Sequence, residues 1–319
     1  MIHLTPSKKE ITAWDRLVTA LGLVFADQVQ GGSKKPVLVD FILYCRDRPN
    51  GEYINVTTPT EKLLEYFTKP ECIKCIVHGW MQNAFTPVIQ DIMKAYLLKT
   101  ECYVIVVNWN YEAKENYIAA IKFIRGVGEL IADLLLRLRF LKRCFLNSLH
   151  LIGHSLGCHV VGYAARFVHE KTDYKAKIGR VTGLDCANPG FETLRISQPM
   201  GRGDATYFDA IHTCSGLLGM SKSIGDFDFR CNKGKHPQPG CKIMDVTCSH
   251  QKSCYYFKES IMEGEKAFKA HLCDSKKDFE NGNCDYNPTA HMGEHLKLND
   301  SVPGDYYLET KSDSPYTLS

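Results

Sequence analysis

Between residues 103 and 185 the chain switches twice between short β-rich runs and helical patterns, and few folds accommodate that order. "YVIVVNW" (103–109) is rich in β-branched residues and too short for a helix. Residues 118–141 follow, with Lys122, Arg125, Glu129, Asp133, Arg137 and Arg139 at helical intervals among apolar residues. Next come "LHLI" (149–152), a helical stretch "HVVGYAARFV" (159–168) and the run "RVTGLD" (180–185). Strands that alternate with helices need crossover connections, which predicts a largely parallel sheet with helices on both faces. "VLVDFILY" (37–44), "CIVHGW" (75–80) and "TYFDAIHT" (206–213) read as further strands. Beyond residue 214 cysteine, glycine and proline become dense, which predicts disulfide-tied loops over one edge of an α/β domain. No repeat or low-complexity linker interrupts residues 27–319, so one domain is the expected count.

Composition narrows the function classes. The net charge of +3 is spread along the chain without basic blocks, so nothing asks for a nucleic-acid partner. Fourteen cysteines, an even number, suit a disulfide-bonded secreted protein better than a cytosolic enzyme. Zinc and thioredoxin-like redox chemistry compete for Cys72 and Cys75, a C-x-x-C. No second pair stands at finger spacing, and the pair leads into a strand rather than a helix. "LVTALGLVFA" (17–26) has the length of a signal-peptide core, with cleavage expected near Ala26; an amphipathic helix is the competing reading. No segment is apolar enough for a transmembrane helix. Asn55 and Asn299 open glycosylation sequons, as secretion would allow.

The sharpest chemical signal is "LHLIGHSLGCHVV" (149–161), in which Ser155 stands between Gly153 and Gly157. G-x-S-x-G alone is a weak match. Placed between an apolar strand and a helix, it reads as the nucleophile elbow of the α/β-hydrolase fold. The turn lifts the hydroxyl above the sheet, and the helix N-terminus behind it favours developing negative charge.

A serine hydroxyl needs a base to take its proton, and the base needs a carboxylate to hold its tautomer. In this fold the order is serine, acid, histidine. Asp185 ends the strand after one crossover helix. Asp204 and Asp209 compete, but neither ends a strand, and Asp209 suits a structural salt bridge. His250, in "CSHQKSC" between Cys248 and Cys254, is the expected base on a cross-linked loop, with His212 as the alternative. His154 and His159 are expected to point away from the nucleophile and pack. The two oxyanion donors should be the backbone N–H groups of Leu156, after the nucleophile, and Trp80, in the early turn "HGW".

The stretches "VHGW", "VVNW", "LIGHSLG", "GRVTGLD", "DAIHT", "GDFDF", "QPGC", "CSH", "YYFKESI" and "HMG" occur in this order over residues 37–310. With them the chain resembles the animal pancreatic-lipase family, including its phospholipase A1 members. The resemblance implies nucleophile Ser155, acid Asp185, base His250 and oxyanion donors Trp80 and Leu156. Two departures stand out. Cys186 occupies a position usually held by proline, and Lys252 one usually held by arginine. Of an acidic pair that binds calcium in some members only Asp204 lines up, so no metal or other cofactor is expected.

The resemblance also bears on substrate and partners. Cys241 and Cys248 match the cysteines that close the lid, leaving only "KIMDVT" between them, and the loop from Cys214 to about Ser223 is short. In the family, short versions of both accompany phospholipase A1 activity, which implies a phospholipid or other glycerolipid at a lipid–water interface as substrate. The β-sandwich domain that binds colipase in the pancreatic enzymes has no counterpart in the sequence, so no colipase is expected. Family spacing pairs Cys241 with Cys248 and Cys273 with Cys284. It makes Cys214 with Cys231 plausible and leaves Cys158 and Cys186 free. Triacylglycerol lipases, carboxylesterases and non-catalytic yolk or lipid-carrying relatives are the competing readings.

Overall fold

The computed structural model describes residues 36–69, 72–192 and 199–318. The candidate leader, residues 1–26, lies outside them. In chain order the elements are β1 (Asp40–Cys45), β2 (Arg48–Ile54), α1 (Thr60–Tyr66), β3 (Ile73–Val77), α2 (Pro87–Lys99), β4 (Tyr103–Asn108), α3 (Asn110–Ala113) and α4 (Tyr117–Phe140). There follow β5 (Leu149–His154), α5 (Leu156–Lys171), β6 (Arg180–Leu184), β7 (Tyr207–His212), β8 (Phe227–Cys231) and α6 (Val246–Glu263). The last are β9 (Lys269–Leu272), α7 (Lys276–Glu280), β10 (Thr289–His291) and β11 (Gly304–Leu308).

These strands form one sheet in the order β10-β9-β11-β8-β7-β6-β5-β3-β4-β1-β2. From β4 across to β11 neighbours are parallel, and both margins are closed by antiparallel pairs. The α/β expectation holds. Beyond residue 214, however, the chain adds four strands and an 18-residue helix rather than loops alone. β9, β10 and β11 are only 4, 3 and 5 residues long, too short for alternation to stand out.

Period-two alternation decides which helices cover which face. Leu149 and Leu151 of β5, with Val77 and Val181, pack under α4 and α5. Ile152, Ile76, Leu184 and Ile211 point the other way, beneath α2 and α6. α4 begins where the Asn116 side chain accepts the Ala119 N–H and ends with Arg137 and Arg139 near its carbonyl terminus.

Three disulfides are present. Cys241–Cys248 and Cys273–Cys284 follow the family spacing. Cys72–Cys102 was not foreseen: each cysteine immediately precedes a strand, and Ile73 pairs with Tyr103, so parallel pairing of β3 with β4 brings them together. Closing a loop of this length stabilises by about 3–4 kcal/mol in the chain-entropy account. Cys75 is free and buried in the sheet, so the C-x-x-C does not act as a pair.

The Cys214–Cys231 expectation is corrected. Both thiols are free, one directed at the Val246 carbonyl and the other at the Met292 sulfur in the α2/α6 core.

Candidate active site

Ser155 caps the N-terminus of α5 with φ 57° and ψ −121°, a left-handed backbone rare for serine. The flanking glycines make this turn sterically feasible. A Cβ at Gly153 would lie 2.4 Å from the Gly157 carbonyl oxygen, and one at Gly157 would lie 2.3 Å from the Val77 carbonyl oxygen. Ser155 is laced to the neighbouring strand: its N–H donates to the Leu184 carbonyl, and its carbonyl accepts the Ala187 N–H. Leu156 is the first residue of α5, so its N–H is a first-turn donor without a helical acceptor.

Asp185 follows β6 at once, also with positive φ, and is fully buried. Its Oδ2 accepts His250 Nδ1–H at 2.5 Å, while Oδ1 accepts the N–H groups of Thr213 at 2.8 Å and Cys214 at 3.0 Å. Gly219 presses against this carboxylate, where a Cβ would come within 2.4–2.6 Å of its atoms. Neither Thr213 nor Gly219 was singled out from sequence. Thr213 holds the Asp185 carboxylate through its backbone N–H and Gly219 confines it by close approach, which no side-chain motif reveals.

The structure brings Asp185 and His250 together, whereas no hydrogen bond joins Ser155 Oγ to the imidazole among the described residues. His250 lies in the second turn of α6 rather than on a cross-linked loop, and Cys254 is free. Asp245 caps that helix by accepting the Cys248 N–H at 2.9 Å. The disulfide of Cys248 therefore ties residues 241–247 to the helix that carries the histidine. Within that loop Ile243 and Met244 are among the most exposed apolar residues described, at 76% and 93%.

Trp80 is partly exposed. Its indole N–H donates to the Glu115 carbonyl, and its ring meets Tyr117 edge-on. No backbone acceptor for its own N–H is found among the described residues.

The competing residues are engaged elsewhere. Asp209 accepts from Arg180 Nε at 2.7 Å and Nη2 at 3.0 Å, the structural bridge expected of it. Asp204 is paired with Arg166 and accepts the Gly201 N–H. His212 meets Asp228 at 2.7 Å, one strand away from the Asp185–His250 pair. His159 is buried against Phe191 and hydrogen-bonded to the Ala187 carbonyl. His154 packs as expected, and the ring it packs on is His250, with centroids 4.7 Å apart, because positions 150, 152 and 154 of β5 share the face covered by α6.

The two departures from the family pattern have local explanations. The Lys252 ammonium donates to the Ser312 carbonyl and lies 4.3 Å from the Tyr316 ring, fastening the C-terminal segment. The Cys186 thiol is buried beside Met200, and burial holds its pKa well above the usual thiol value.

A strained serine at a strand–helix elbow beside a buried carboxylate–imidazole pair is a serine-hydrolase type of arrangement. The chain belongs to the lipase family, whose model matches residues 22–316. Among curated proteins it is 30% identical to lipoprotein lipase of Rattus norvegicus over 272 residues, covering 76% of this chain and 56% of that protein. Lipoprotein lipase of Bos taurus is 28% identical over 329 residues, covering 93% of this chain and 67% of that protein. The chain thus spans little more than half the length of several curated relatives it matches. A solved α/β hydrolase from a deep-sea metagenome, MGS-M1, matches at 14% identity and TM-score 0.37 over 61% of this chain and 69% of that one. The family assignment rests on the sequence matches.

Proposed function

We propose that this chain is a secreted serine lipase that hydrolyses an acyl ester of glycerolipids, with Ser155, His250 and Asp185 as its triad. The observation that carries the reading is the 2.5 Å contact of His250 with Asp185, set beside the positive-φ serine of the elbow. His250 takes the hydroxyl proton as Ser155 Oγ attacks the ester carbonyl. Asp185 holds the imidazole in its Nδ1–H tautomer and stabilises the imidazolium that forms. The Trp80 and Leu156 N–H groups receive the oxyanion. His250 then gives its proton to the leaving glycerol oxygen, and water, activated by the same base, releases the fatty acid from the acyl-enzyme.

Phospholipase A1 specificity is the finer reading. Its support is the loop of six residues between Cys241 and Cys248, tied to α6, together with the compact 214–223 segment that presses Gly219 onto Asp185. Neither is long enough to form an apolar cover, and an open rim admits a polar head group. Disulfide bonding and the absence of any helix long and apolar enough to cross a membrane among the described residues fit an extracellular site of action.

The test compares purified protein with Ser155→Ala on phosphatidylcholine vesicles and on triolein emulsion. The expected result is release of the sn-1 fatty acid from phosphatidylcholine, abolished in the variant. A preference for triolein overturns the head-group argument and keeps the triad. Equal behaviour of wild type and variant on both lipids replaces the enzyme by a lipid carrier.

A further inference from the structure

One side chain between the oxyanion turn and the elbow has no part in the chemistry above. Gln82 lies three residues after Gly79, and its Oε1 accepts the Gly79 N–H at 2.8 Å. The same oxygen meets His154 Nδ1 at 2.9 Å. A side-chain carbonyl has two acceptor positions, and here both are used. One atom thereby joins the turn bearing Trp80 to the residue immediately before Ser155.

The rest of the geometry gives this bond a consequence. Donation from Nδ1 leaves His154 Nε2 as the bare nitrogen, buried and without a hydrogen-bond partner among the described residues. Burial, and then the neighbouring His250, hold the His154 pKa well below the usual imidazole value, so a neutral ring backs the base. The turn has little room to drift. A Cβ at Gly79 would lie 2.7 Å from Ser155 Cβ and 3.1 Å from both Gln82 Oε1 and the His154 carbonyl oxygen. Without the acceptor, the Gly79 N–H loses its partner, and the adjoining Trp80 peptide loses the bond that fixes its tilt toward the oxyanion.

We propose that Gln82 and His154 are positioning residues for hydrolysis, one acceptor oxygen and one neutral ring that set the oxyanion turn and the base ring relative to Ser155. Neither touches the reacting atoms. The proposal rests on the assignment of Ser155, His250 and Asp185 made above. It separates the acceptor function of residue 82 from its bulk: an oxygen is required there, and an amide nitrogen is not.

The experiment measures kcat and KM on a water-soluble short-chain p-nitrophenyl ester, with thermal melting alongside, for wild type and four variants. Gln82→Glu keeps an acceptor oxygen and is expected to stay within about threefold of wild-type kcat. Gln82→Met keeps the length without the acceptor and is expected to lose about 30-fold in kcat, with KM changed by less than about twofold. His154→Phe, which keeps a ring and removes the donor, should lose about fivefold in kcat. Full activity in Gln82→Met, an equal loss in Gln82→Glu, or losses that track a falling melting temperature overturns the proposal. Ser155→Ala separates the two levels. If it hydrolyses the ester like wild type, the triad itself is wrong; if it is inactive, the Gln82 pair alone decides the positioning role.

Discussion

Two buried polar clusters occupy the same face of the sheet, at opposite ends of its parallel strands. At the amino ends, Lys74 meets Glu294 at 2.6 Å, Tyr96 donates to the same carboxylate, and Arg180 is forked onto Asp209. His150 bridges the groups through Thr182 and Glu294. At the carboxyl ends stand Asp185, His250, His154 and Ser155. Both clusters contain carboxylates and imidazoles, so residue type does not tell them apart. Saturation and backbone do. Lys74, Arg180, Asp209 and Glu294 all have partners, and burial with Arg180 and Lys74 nearby lowers His150 to about 3, keeping it neutral. At the other end, Ser155 and Asp185 sit at positive φ, and a histidine nitrogen lacks a partner. One cluster is saturated and holds the sheet, and the other carries the strained backbone of the proposed triad.

The comparison breaks most sharply on its two aspartates. Asp185→Asn should cost roughly 10⁴-fold in kcat with little change in melting temperature, because the imidazole loses its tautomer partner rather than its packing. Asp209→Ala should do the reverse. It removes the carboxylate partner of the buried Arg180 guanidinium, costs about 3 kcal/mol of stability and leaves kcat of the remaining folded protein near wild type. Steady-state kinetics and thermal melting on both variants check the pair, and similar phenotypes would dissolve the distinction.

Gly219→Ala tests the boundary of the reacting end at a residue outside every motif. Its methyl group would collide with the Asp185 carboxylate, and kcat should fall by about 100-fold through displaced geometry. Unchanged kinetics would show that the segment relaxes freely.

A pH-dependent effect on stability is shared by both ends. Burial holds His78 near 4, and His150 and His159 near 3, while His154 also lies well below its usual value. Their folded-state pKa values are depressed, so below about pH 6.5 the unfolded chain takes up protons that the folded chain refuses. Each contributes up to about 1.4 kcal/mol of lost stability per pH unit as pH falls from 6.5 toward its folded value. Denaturant midpoints measured between pH 7 and 4 should fall monotonically. A flat profile would contradict buried neutral histidines.

Much of the architecture was legible because β4, β5 and β6 are apolar runs separated by strongly periodic helices. The positions of Ser155 and Asp185 are legible because each directly follows such a strand. β2 was not, since Pro49, Asn50 and Gly51 interrupt it, and its pairing with β1 is a tertiary decision. The setting of His250 is not legible in sequence: cysteines at 248 and 254 suggest a stapled loop, whereas the second is a free thiol on a helix. The partner of His154 is not legible because elbow geometry alone does not say which helix will cover that face of β5. Cys72–Cys102, Thr213 and Gly219 depend on strand neighbours, and strand order is not written in any local pattern.

The most direct measurement is covalent labelling with a fluorophosphonate, read by intact mass and peptide mapping, on wild type, Ser155→Ala and Asp185→Asn. The account predicts one adduct per chain on the Ser155 peptide, none in Ser155→Ala and strongly slowed labelling in Asp185→Asn. An adduct mapped to another residue, or labelling that survives Ser155→Ala, would contradict it.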